Sequence, residues 1–234
     1  MKKVTLILML LISAVSGVSA KDISDKQNLF GFQGGVGFTT MGIQKQNNDA
    51  KNWVKAGGMA GFSYEHRFVK VFALELGVNY VNKGAQQKIE ASGLNKSFYR
   101  LNFHSVEVPL IIKLYIGKKK IFNVNAGGYA SYAFNVQQRT KIDYKDNSIL
   151  KDVDQRKNNL LSNDNNPKDV NGERYWRAYD AGVNVGFEFI SKKGFGAGSR
   201  VSQGLVDYTN PKSVLDDHKK IYHTSVLFYA ILKF

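Results

Sequence analysis

A long stretch of alternating apolar and polar residues, Ser105–Val136, constrains the fold of this chain more than any other feature. Its two halves flank a short, lysine-rich turn, Gly117–Lys120. Even positions carry the apolar side chains in both halves: Val106, Val108, Leu110, Ile112, Leu114 and Ile116, then Phe122, Val124, Ala126, Ala130, Tyr132, Phe134 and Val136. A period of two is that of a β-strand. The stretch therefore predicts a hairpin with one apolar face and one face of charges and amides.

The length of these two strands favours a membrane. Each half has about ten residues or more, whereas a strand of a soluble protein typically has about five or six. A strand that crosses a membrane needs about 9–11 residues. We therefore predict a transmembrane β-barrel with its apolar face toward lipid and its polar face inward.

The first twenty residues have the pattern of an export signal: a basic start, an apolar run and a small-residue end at Val18–Ala20. This pattern predicts a signal peptide over residues 1–20, cleaved after Ala20. A membrane-anchoring helix is the alternative, but the apolar core is shorter than the roughly 20 residues that a spanning helix needs. A short lead, residues 21–28, then precedes an outer-membrane β-barrel domain, residues 29–234.

The mature sequence contains eight segments with the same alternation. They cover residues 29–40, 55–68, 71–83, 98–116, 121–136, 176–190, 195–208 and 220–234. Short turns alternate with long loops between them, which is typical of outer-membrane barrels. We predict an all-β fold, an eight-stranded antiparallel up-and-down transmembrane barrel, with both chain ends on the periplasmic side and the long loops outside the cell. A further hairpin within the longest loop, Gln138–Tyr175, would instead give ten strands.

The fourth segment changes phase near its middle. Leu101 and Phe103 are apolar at odd positions, whereas from Val106 onward the apolar positions are even. One extra residue in a strand produces such a change, so we predict a β-bulge between Phe103 and Val106. The fifth segment is expected to keep its own phase where it continues past Val136, since Ile142 is again apolar at an even position.

Outward aromatic side chains concentrate near both ends of the predicted strands. They are Phe30, Phe68, Phe72, Phe122, Phe189, Phe195 and Phe234 on the short-turn side, and Phe38, Tyr80, Phe134, Tyr179 and Tyr222 toward the long loops. Two aromatic belts mark the two interfaces of a membrane barrel. A soluble lipocalin-like barrel turns its apolar face inward and gives no reason for such belts.

The side chains predicted to point inward carry both signs of charge. They are Glu65, Arg67, Glu75, Glu107, Lys113, Asp180, Glu188 and Arg200. An eight-stranded barrel is only wide enough inside for its own side chains. Because buried charges persist only when they are paired, we predict a packed polar lumen. A narrow ion path is the alternative.

Charge and composition limit the classes of ligand and partner that the protein is expected to bind. The chain has no cysteine, which excludes disulfides and cysteine-ligated metals, and its formal net charge is +14. A basic excess can indicate nucleic acid, but the sequence has no helix-turn-helix, zinc-finger spacing or aromatic RNA-binding motif, so we expect no nucleic acid. We expect the positive charge to face outer-membrane lipids and lipopolysaccharide.

No pattern identifies a catalytic, cofactor-binding or metal site. The histidines are His66, His104, His218 and His223. Asp216, Asp217 and His218 are adjacent in a predicted loop, and a solvated loop explains them better than a protease site, because adjacent loop residues cannot face one substrate as a formed site does. We therefore predict no enzyme and no cofactor.

The segment HSVEVPLIIKLYIG, His104–Gly117, resembles the motif leiPlllky of the PorT-like outer-membrane β-barrel family of Bacteroidota. The closing segment TSVLFYAILKF, which ends at Phe234, is similar to that family's last strand. The resemblance implies a barrel without common catalytic residues, whose terminal aromatic residue is recognised by the barrel-insertion machinery. Some members serve type IX secretion, and nothing in this sequence places the chain with them.

Together these observations predict a non-enzymatic structural or interaction protein in the outer membrane of a Gram-negative cell. A component of a type IX secretion apparatus, a small pore and a membrane-embedded enzyme are the alternatives. Any protein partner is expected at the extracellular loops, above all Gln138–Tyr175, because loops on rigid scaffolds carry function disproportionately.

Overall fold

A computed structural model describes residues 22–23, 25–42, 50–91, 95–117, 120–144, 153–161, 176–208 and 221–234. The strands are β1 (Asn28–Met41), β2 (Ala50–Trp53), β3 (Lys55–Arg67), β4 (Phe72–Ala91), β5 (Asn95–Ile116), β6 (Phe122–Tyr144), β7 (Val153–Lys157), β8 (Tyr179–Ile190), β9 (Phe195–Gly204) and β10 (His223–Lys233). The predicted signal peptide lies outside the described residues. Within those residues, no helix has the length and apolarity needed to cross a membrane.

Eight of the described strands close an antiparallel ring. The order around the ring is β1, β3, β4, β5, β6, β8, β9 and β10, which pairs with β1 again. The two remaining short strands extend this wall: β2 pairs with β4 and β7 pairs with β6. The predicted eight-stranded up-and-down architecture is confirmed.

Side chains alternate between the outer face and the lumen along each strand of the ring. In β5, for example, Leu110 and Ile112 are exposed on the outer face, whereas Ile111 and Lys113 are buried. Phenylalanine, valine, leucine and isoleucine dominate the exposed positions of the other strands as well. This apolar outer face is suited to lipid, and the inward assignment of all the predicted lumen charges is confirmed because each is buried.

The short turns lie between β3 and β4, between β5 and β6, and between β8 and β9. Both described ends of the chain meet this edge of the ring, since the Phe30 amide donates to the Phe234 carbonyl and the Ile23 amide to the Lys192 carbonyl. Gly194 in the last of these turns has φ +86°, and a Cβ there would lie 1.9 Å from a backbone carbonyl oxygen of β10. Only glycine fits such a position.

The wall rises well above the ring on one side. β4, β5 and β6 contain 20, 22 and 23 residues, about twice what a membrane crossing needs. The predicted long loop over residues 84–97 is therefore wrong, because β4 and β5 occupy most of it. Strand structure also enters the predicted loop Gln138–Tyr175, where β6 continues and β7 pairs with it. We call this raised sheet, made of β2, β7 and the distal parts of β4, β5 and β6, the extension.

The bulge lies at the predicted level of the β5–β6 pair, but the extra residue is in β6 and not in β5 as predicted. The register of β5 and β6 shifts between His104 and Ser105: His104 pairs with Asn135, and Ser105 pairs with Ala133. Phe134 is therefore the extra residue, and it belongs to β6. Its effect is a change of phase in β6, whereas β5 keeps one phase throughout.

This placement reverses two facing assignments. Phe103 and Val136 were both expected on the outer face, and both are fully buried at the extracellular end of the lumen. Even positions of β6 beyond the bulge thus turn inward, so the expectation that β6 keeps its phase as far as Ile142 is also wrong. The apolar character of Phe103 reflects packing inside the barrel mouth and not contact with lipid.

Candidate functional site

The lumen holds two groups of buried ionisable side chains, fixed by the inward positions of the ring strands. The lower cluster, near the short turns, contains Glu65, Arg67, Glu75, Lys113, Tyr115, Glu188, Tyr229 and Lys233. The upper cluster, nearer the long loops, contains Lys83, Glu107, Tyr129, Asp180 and Tyr208. Both lie where the sequence predicted a packed polar interior.

Lys113 is the centre of the lower cluster. Its Nζ lies 2.6 Å from Oε2 of Glu75, 2.6 Å from Oε2 of Glu188 and 3.5 Å from Oε2 of Glu65. These residues come from four different strands of the ring. The ammonium therefore links β8 to β3, β4 and β5, none of which is a neighbour of β8 in the ring.

A second lysine balances the remaining acidic charge. Glu65 and Glu75 are direct cross-strand partners, and like charges in that position are destabilising. The Lys233 ammonium donates to Glu65 and lies 3.0 Å from Oε2 of Glu75. Arg67 Nε lies 3.0 Å from Oε1 of Glu65, and the Tyr115 hydroxyl donates to the same oxygen at 2.6 Å. Two otherwise repelling carboxylates are thus held by three cationic side chains, counting Lys113.

The upper cluster is smaller and centres on Lys83. Its Nζ lies 2.5 Å from Oε2 of Glu107 and 3.6 Å from Oδ2 of Asp180, and it sits 4.2 Å from the centre of the Tyr129 ring. The hydroxyls of Tyr129 and Tyr208 both donate to Oδ2 of Asp180 at 2.9 Å. One cation thus faces two carboxylates, and the two tyrosine hydroxyls stabilise the second one.

Arg200 lies beside the lower cluster with looser contacts. Its Nη2 is 3.8 Å from Oε1 of Glu75 and 3.9 Å from Oε1 of Glu188, and its guanidinium lies 5.2 Å from the centre of the Tyr229 ring. The side chain is 1% exposed, and its nitrogens make no hydrogen bond to the described residues. The side-chain amide of Asn184 is also buried and makes no hydrogen bond within the part of the chain that the structure describes. Buried water commonly satisfies groups of this kind.

Apolar side chains cover the periplasmic end of the lumen. Ile23, from the segment that precedes β1, is buried together with Leu29, Ile190 and Ile231. Its carbonyl accepts a hydrogen bond from Nη1 of Arg67 at 2.9 Å. The residues before the first strand therefore close the bottom of the barrel and are tied to its lower cluster.

A second apolar group covers the extracellular end. Phe103 lies with its ring 4.8 Å from that of Tyr208 and 5.9 Å from that of Trp176. Leu160, which follows β7, packs into the same group, and its amide donates to the Val136 carbonyl at 2.9 Å. We call this group the upper cap. It places residues from the long connection between β6 and β8 inside the barrel mouth.

Residues 20–210 match a known family, described as outer membrane protein beta-barrel domain. The chain belongs to this family. The closed ring, the apolar outer face and the polar lumen are what such a membership requires, and the protein is a small β-barrel of the cell outer membrane. No curated protein matches the sequence.

Several solved structures of small outer-membrane proteins are similar to this chain. The attachment invasion locus protein Ail of Yersinia pestis matches with a TM-score of 0.41 and 9% identity, over 89% of this chain and 99% of that chain. Neisserial surface protein A matches with a TM-score of 0.45 and 12% identity, over 88% and 97%. OprG of Pseudomonas aeruginosa matches with a TM-score of 0.41 and 13% identity, over 89% and 97%. The likeness concerns the fold alone.

The lumen of this outer-membrane barrel gathers most of the predicted inward charges into the two clusters, with Arg200 beside the lower one. Lys83 and Lys233 were not predicted in the lumen, although both occupy odd positions that share the inward phase of their strands. The tyrosine hydroxyls that donate to Glu65 and Asp180 were not predicted either. Asp216, Asp217 and His218 lie outside the described residues.

The described part of the chain contains no group of three or more side chains suited to hold a metal ion. The buried carboxylates of the lower cluster each contact at least one cation. Removing such a group from its partner is costly. The clusters are therefore arranged to hold the wall together, and polar side chains that are accessible to a partner lie on the extension, among them Asp154 and Arg156.

Proposed function

We propose that this outer-membrane barrel is a non-enzymatic structural and interaction protein whose working surface is the extension and the loops around it. The observation that carries the proposal is the filled lumen. Ion pairs occupy its interior, and apolar side chains cover both ends. The extension, in contrast, presents polar and charged side chains outside the ring, such as the exposed Asp154, Gln155 and Arg156 of β7, where a partner has access.

The same observation argues against the two alternatives that need an accessible interior. An ion path requires a hydrated route past Lys113, which contacts three carboxylates from three strands. An enzyme inside the barrel requires a substrate to pass the upper cap of Phe103, Leu160 and Tyr208. Both routes would have to displace buried, mutually packed side chains.

The processing of the chain is part of the proposal. Residues 1–20 are removed as a signal peptide, and residues 21–28 form a periplasmic lead to the barrel domain, residues 29–234. The burial of Ile23 under the lower cluster supports a lead that stays attached to the barrel. N-terminal sequencing of the protein from outer membranes should begin at Lys21, and a retained Met1 would contradict it.

We propose in addition that the protein is a PorT-like barrel. The motif His104–Gly117 coincides with the membrane-crossing half of β5, and the last strand ends next to Phe234, the residue proposed to be recognised by the barrel-insertion machinery. A role in type IX secretion is the competing function. Deleting the gene in its source bacterium should leave type IX secretion intact, and a secretion defect restored by the gene would favour the competitor.

A crosslinking capture tests the interaction role. We would replace residues 162–172 by a short Gly-Ser link, which keeps Leu160 and Trp176 of the upper cap. We expect the barrel to tolerate the shorter connection, because the entropy cost of closing a loop depends only weakly on the length of the loop. The variant should fold and remain heat-resistant in detergent, and it should lose any partner captured from crosslinked outer membranes.

The matched control changes the lumen instead of the loop. Replacing Lys83 by Met, Glu107 by Gln and Asp180 by Asn removes a buried cation together with both carboxylates that face it, while keeping the side-chain volumes similar. This triple variant should keep the partner. If it loses the partner while the shortened loop retains it, the lumen carries the function and the proposal is wrong.

A further inference from the structure

The extension carries a cleft with a purely polar lining. Its volume is about 190 Å³, and its lining residues belong to β5, β6 and β7 and to the position that follows β7. Four of them have amide side chains, Asn102, Gln137, Gln138 and Asn158, and the others are arginines. Among the described residues, the lining contains neither an acidic nor an apolar side chain. We call it the amide cleft.

The amides decide which class of ligand matches this lining. Each amide has one acceptor oxygen and an NH₂ group with two donors, whereas a guanidinium offers donors alone. A phosphate or sulfate would use the donors and leave the amide oxygens without a partner. A hydroxyl group both donates and accepts. A ligand with several adjacent hydroxyls therefore matches the amides and the guanidiniums together.

The size of the cleft limits this ligand further. Pockets for drug-sized ligands measure about 300–1,000 Å³, so a cleft of about 190 Å³ admits a group of roughly the size of one sugar ring. A sugar ring presents several adjacent hydroxyls on a body of this size. The chemistry and the volume of the cleft thus indicate the same kind of ligand.

Two of the amides lie side by side. Asn102 of β5 and Gln137 of β6 are register partners, and register partners place their side chains on the same face of a sheet, about 5 Å apart. On its other side Asn102 pairs with Gly84 of β4, which has no side chain. Within the part of the chain that the structure describes, no hydrogen bond or ion pair occupies the amide of Asn102. This amide is therefore available to a ligand.

Contacts within the protein hold other parts of the lining in place. Asp154 accepts hydrogen bonds from Nε of Arg139 at 2.9 Å and from Nη2 at 2.6 Å. Nε2 of Gln138 lies 3.4 Å from Oγ1 of Thr140. Polar groups that are oriented before the ligand arrives lower the entropy cost of binding. Because a guanidinium has five N–H donors, an arginine with a partner in the protein can also donate to a hydroxyl.

The position of the cleft indicates the source of the sugar. Tyr80, His104 and Phe134 group on the outer face just below it, with ring centres 6.1 to 6.5 Å apart. Tyr80 and Phe134 belong to the predicted aromatic belt on the long-loop side, which marks the membrane interface. Asn102 lies two residues beyond His104 on β5, and Arg100 lies four residues beyond it. With a rise of about 3.3 Å per residue and a strand tilt of about 40°, the cleft lies roughly 5–10 Å above the belt, at the level of lipid headgroups.

We propose that the amide cleft binds one sugar ring of the core oligosaccharide of lipopolysaccharide, in the outer leaflet around the barrel. The inference rests on the proposed function, for which it names one ligand and the residues that hold it. Asn102 and Gln137 exchange hydrogen bonds with adjacent hydroxyls of the ring, and Arg156 donates to a further hydroxyl from β7. The bound ring thereby joins three strands of the extension.

A titration of the purified full-length mature protein in mild detergent, followed by NMR, tests the proposal. The probe is the core oligosaccharide, released from lipid A and freed of its phosphates. Wild-type protein should bind it, with the largest shifts at the backbone amides of residues 100–102 and 137–139. Asn102→Leu should weaken the binding about three- to tenfold, because it removes neutral hydrogen bonds at a similar side-chain volume.

Gln155→Leu is the matched control. Gln155 is an exposed amide of β7 that does not belong to the lining of the cleft, so its replacement should leave the binding unchanged. Heat-dependent mobility in electrophoresis confirms that both variants are folded. No binding by wild-type protein, or an equal loss in both variants, would overturn the inference.

Two competitors separate the remaining ligands. Inorganic phosphate at millimolar concentration should not displace the oligosaccharide, and displacement would identify an anion site in place of a sugar site. A free sugar is the other source of the same hydroxyl chemistry. Glucose at the concentration of the oligosaccharide should not displace it, because the neighbouring rings of the oligosaccharide add contacts around the cleft, and displacement would overturn the lipopolysaccharide assignment.

The capture of a protein partner is tested separately. The residues that line the amide cleft lie outside the shortened segment 162–172. The partner-capture experiment therefore fails or succeeds independently of this titration, and the two results identify which of the two proposals is wrong.

Discussion

Lys113 illustrates how single residues stabilise this barrel from the inside. A buried ion pair adds little stability compared with an apolar pair of equal volume, but removal of one partner leaves an uncompensated buried charge. We expect Lys113→Met to lower the free energy of unfolding by about 3–5 kcal/mol, because Glu75 and Glu188 each lose a contact of 2.6 Å. Denaturant unfolding of the protein reconstituted in lipid vesicles measures the change.

The control is a lysine with an exposed partner. Lys192 lies 3.9 Å from Asp22, and both side chains are more than half exposed. Exposed pairs contribute about 0–1 kcal/mol, so Lys192→Met should have a small effect. Similar losses for the two methionine variants would show that the lower cluster does not hold the wall together.

The sequence predicted which side chains face the lumen and which face lipid. It did not predict which of the buried side chains contact one another. The period of two placed Glu65 and Glu188 in the lumen, because inward and outward positions differ in polarity along each strand. Which lysine meets which carboxylate depends on strand register and on the ring closing, and neither is visible in a local pattern. Phe103 was misplaced for a related reason, since an apolar residue fits the upper cap as well as it fits lipid.

At the scale of one strand, β5 offers a test of membrane depth. Leu110 lies in the middle of the membrane-crossing half of β5, His104–Ile116, and Ile116 lies at its periplasmic end; both are exposed on the outer face. An arginine facing lipid costs about 2–4 kcal/mol at the bilayer midplane and about 0–1 near an interface. Leu110→Arg should therefore destabilise the barrel in vesicles far more than Ile116→Arg. Equal unfolding free energies for the two variants would contradict the position of β5 in the membrane.

The attachment of β7 depends on a charge pair that titrates. Hydrogen bonds from Arg139 lower the pKa of Asp154 below its ordinary value of 3.8. A carboxyl with a lowered pKa stabilises the fold above its ordinary pKa and loses that effect as the pH falls through the lowered value. We expect the amides of Val153–Lys157 to keep their NMR positions down to about pH 5 and to shift below the ordinary pKa.

Asp154→Asn provides the corresponding variant. It should loosen β7 at neutral pH, remove the acid-dependent shift of the β7 amides and leave the ring folded. Asp25→Asn is the matched control, because Asp25 is fully exposed at the opposite edge, 3.7 Å from Lys120. An acid-dependent shift that persists in Asp154→Asn would assign the titration to another group.

The extension was only partly predictable from the sequence: the continuation of β6 past Val136 was expected, and the distal parts of β4 and β5 were not. Residues 84–98 include Gln86, Gln87 and Lys88, with no continuous apolar face. Alternation of polarity appears only where one face of a strand meets lipid or a core and the other does not. Above the membrane both faces of β4 and β5 meet water or polar neighbours, so the strands continue without the signal that revealed them inside it.

At the scale of the whole molecule, three groups of side chains, one above the other, close the lumen of the barrel. The segment around Ile23 covers the periplasmic end, the two ionic clusters fill the middle, and the upper cap covers the extracellular end. An eight-stranded ring has room for little more than these side chains. The wall, the lumen and the caps therefore belong to one packed unit.

This arrangement predicts that the protein forms no stable open channel. Planar-bilayer recordings of the purified wild-type protein should show no reproducible single-channel steps at ordinary voltages, while a porin added to the same membrane confirms that conductance is detected. Phe103→Ala combined with Leu160→Ala removes much of the upper cap and should still give no steps, because Lys83 and Lys113 remain paired below it. Steps from the double variant alone would assign the seal to the cap, and steps from wild-type protein would establish a small pore in place of the filled lumen.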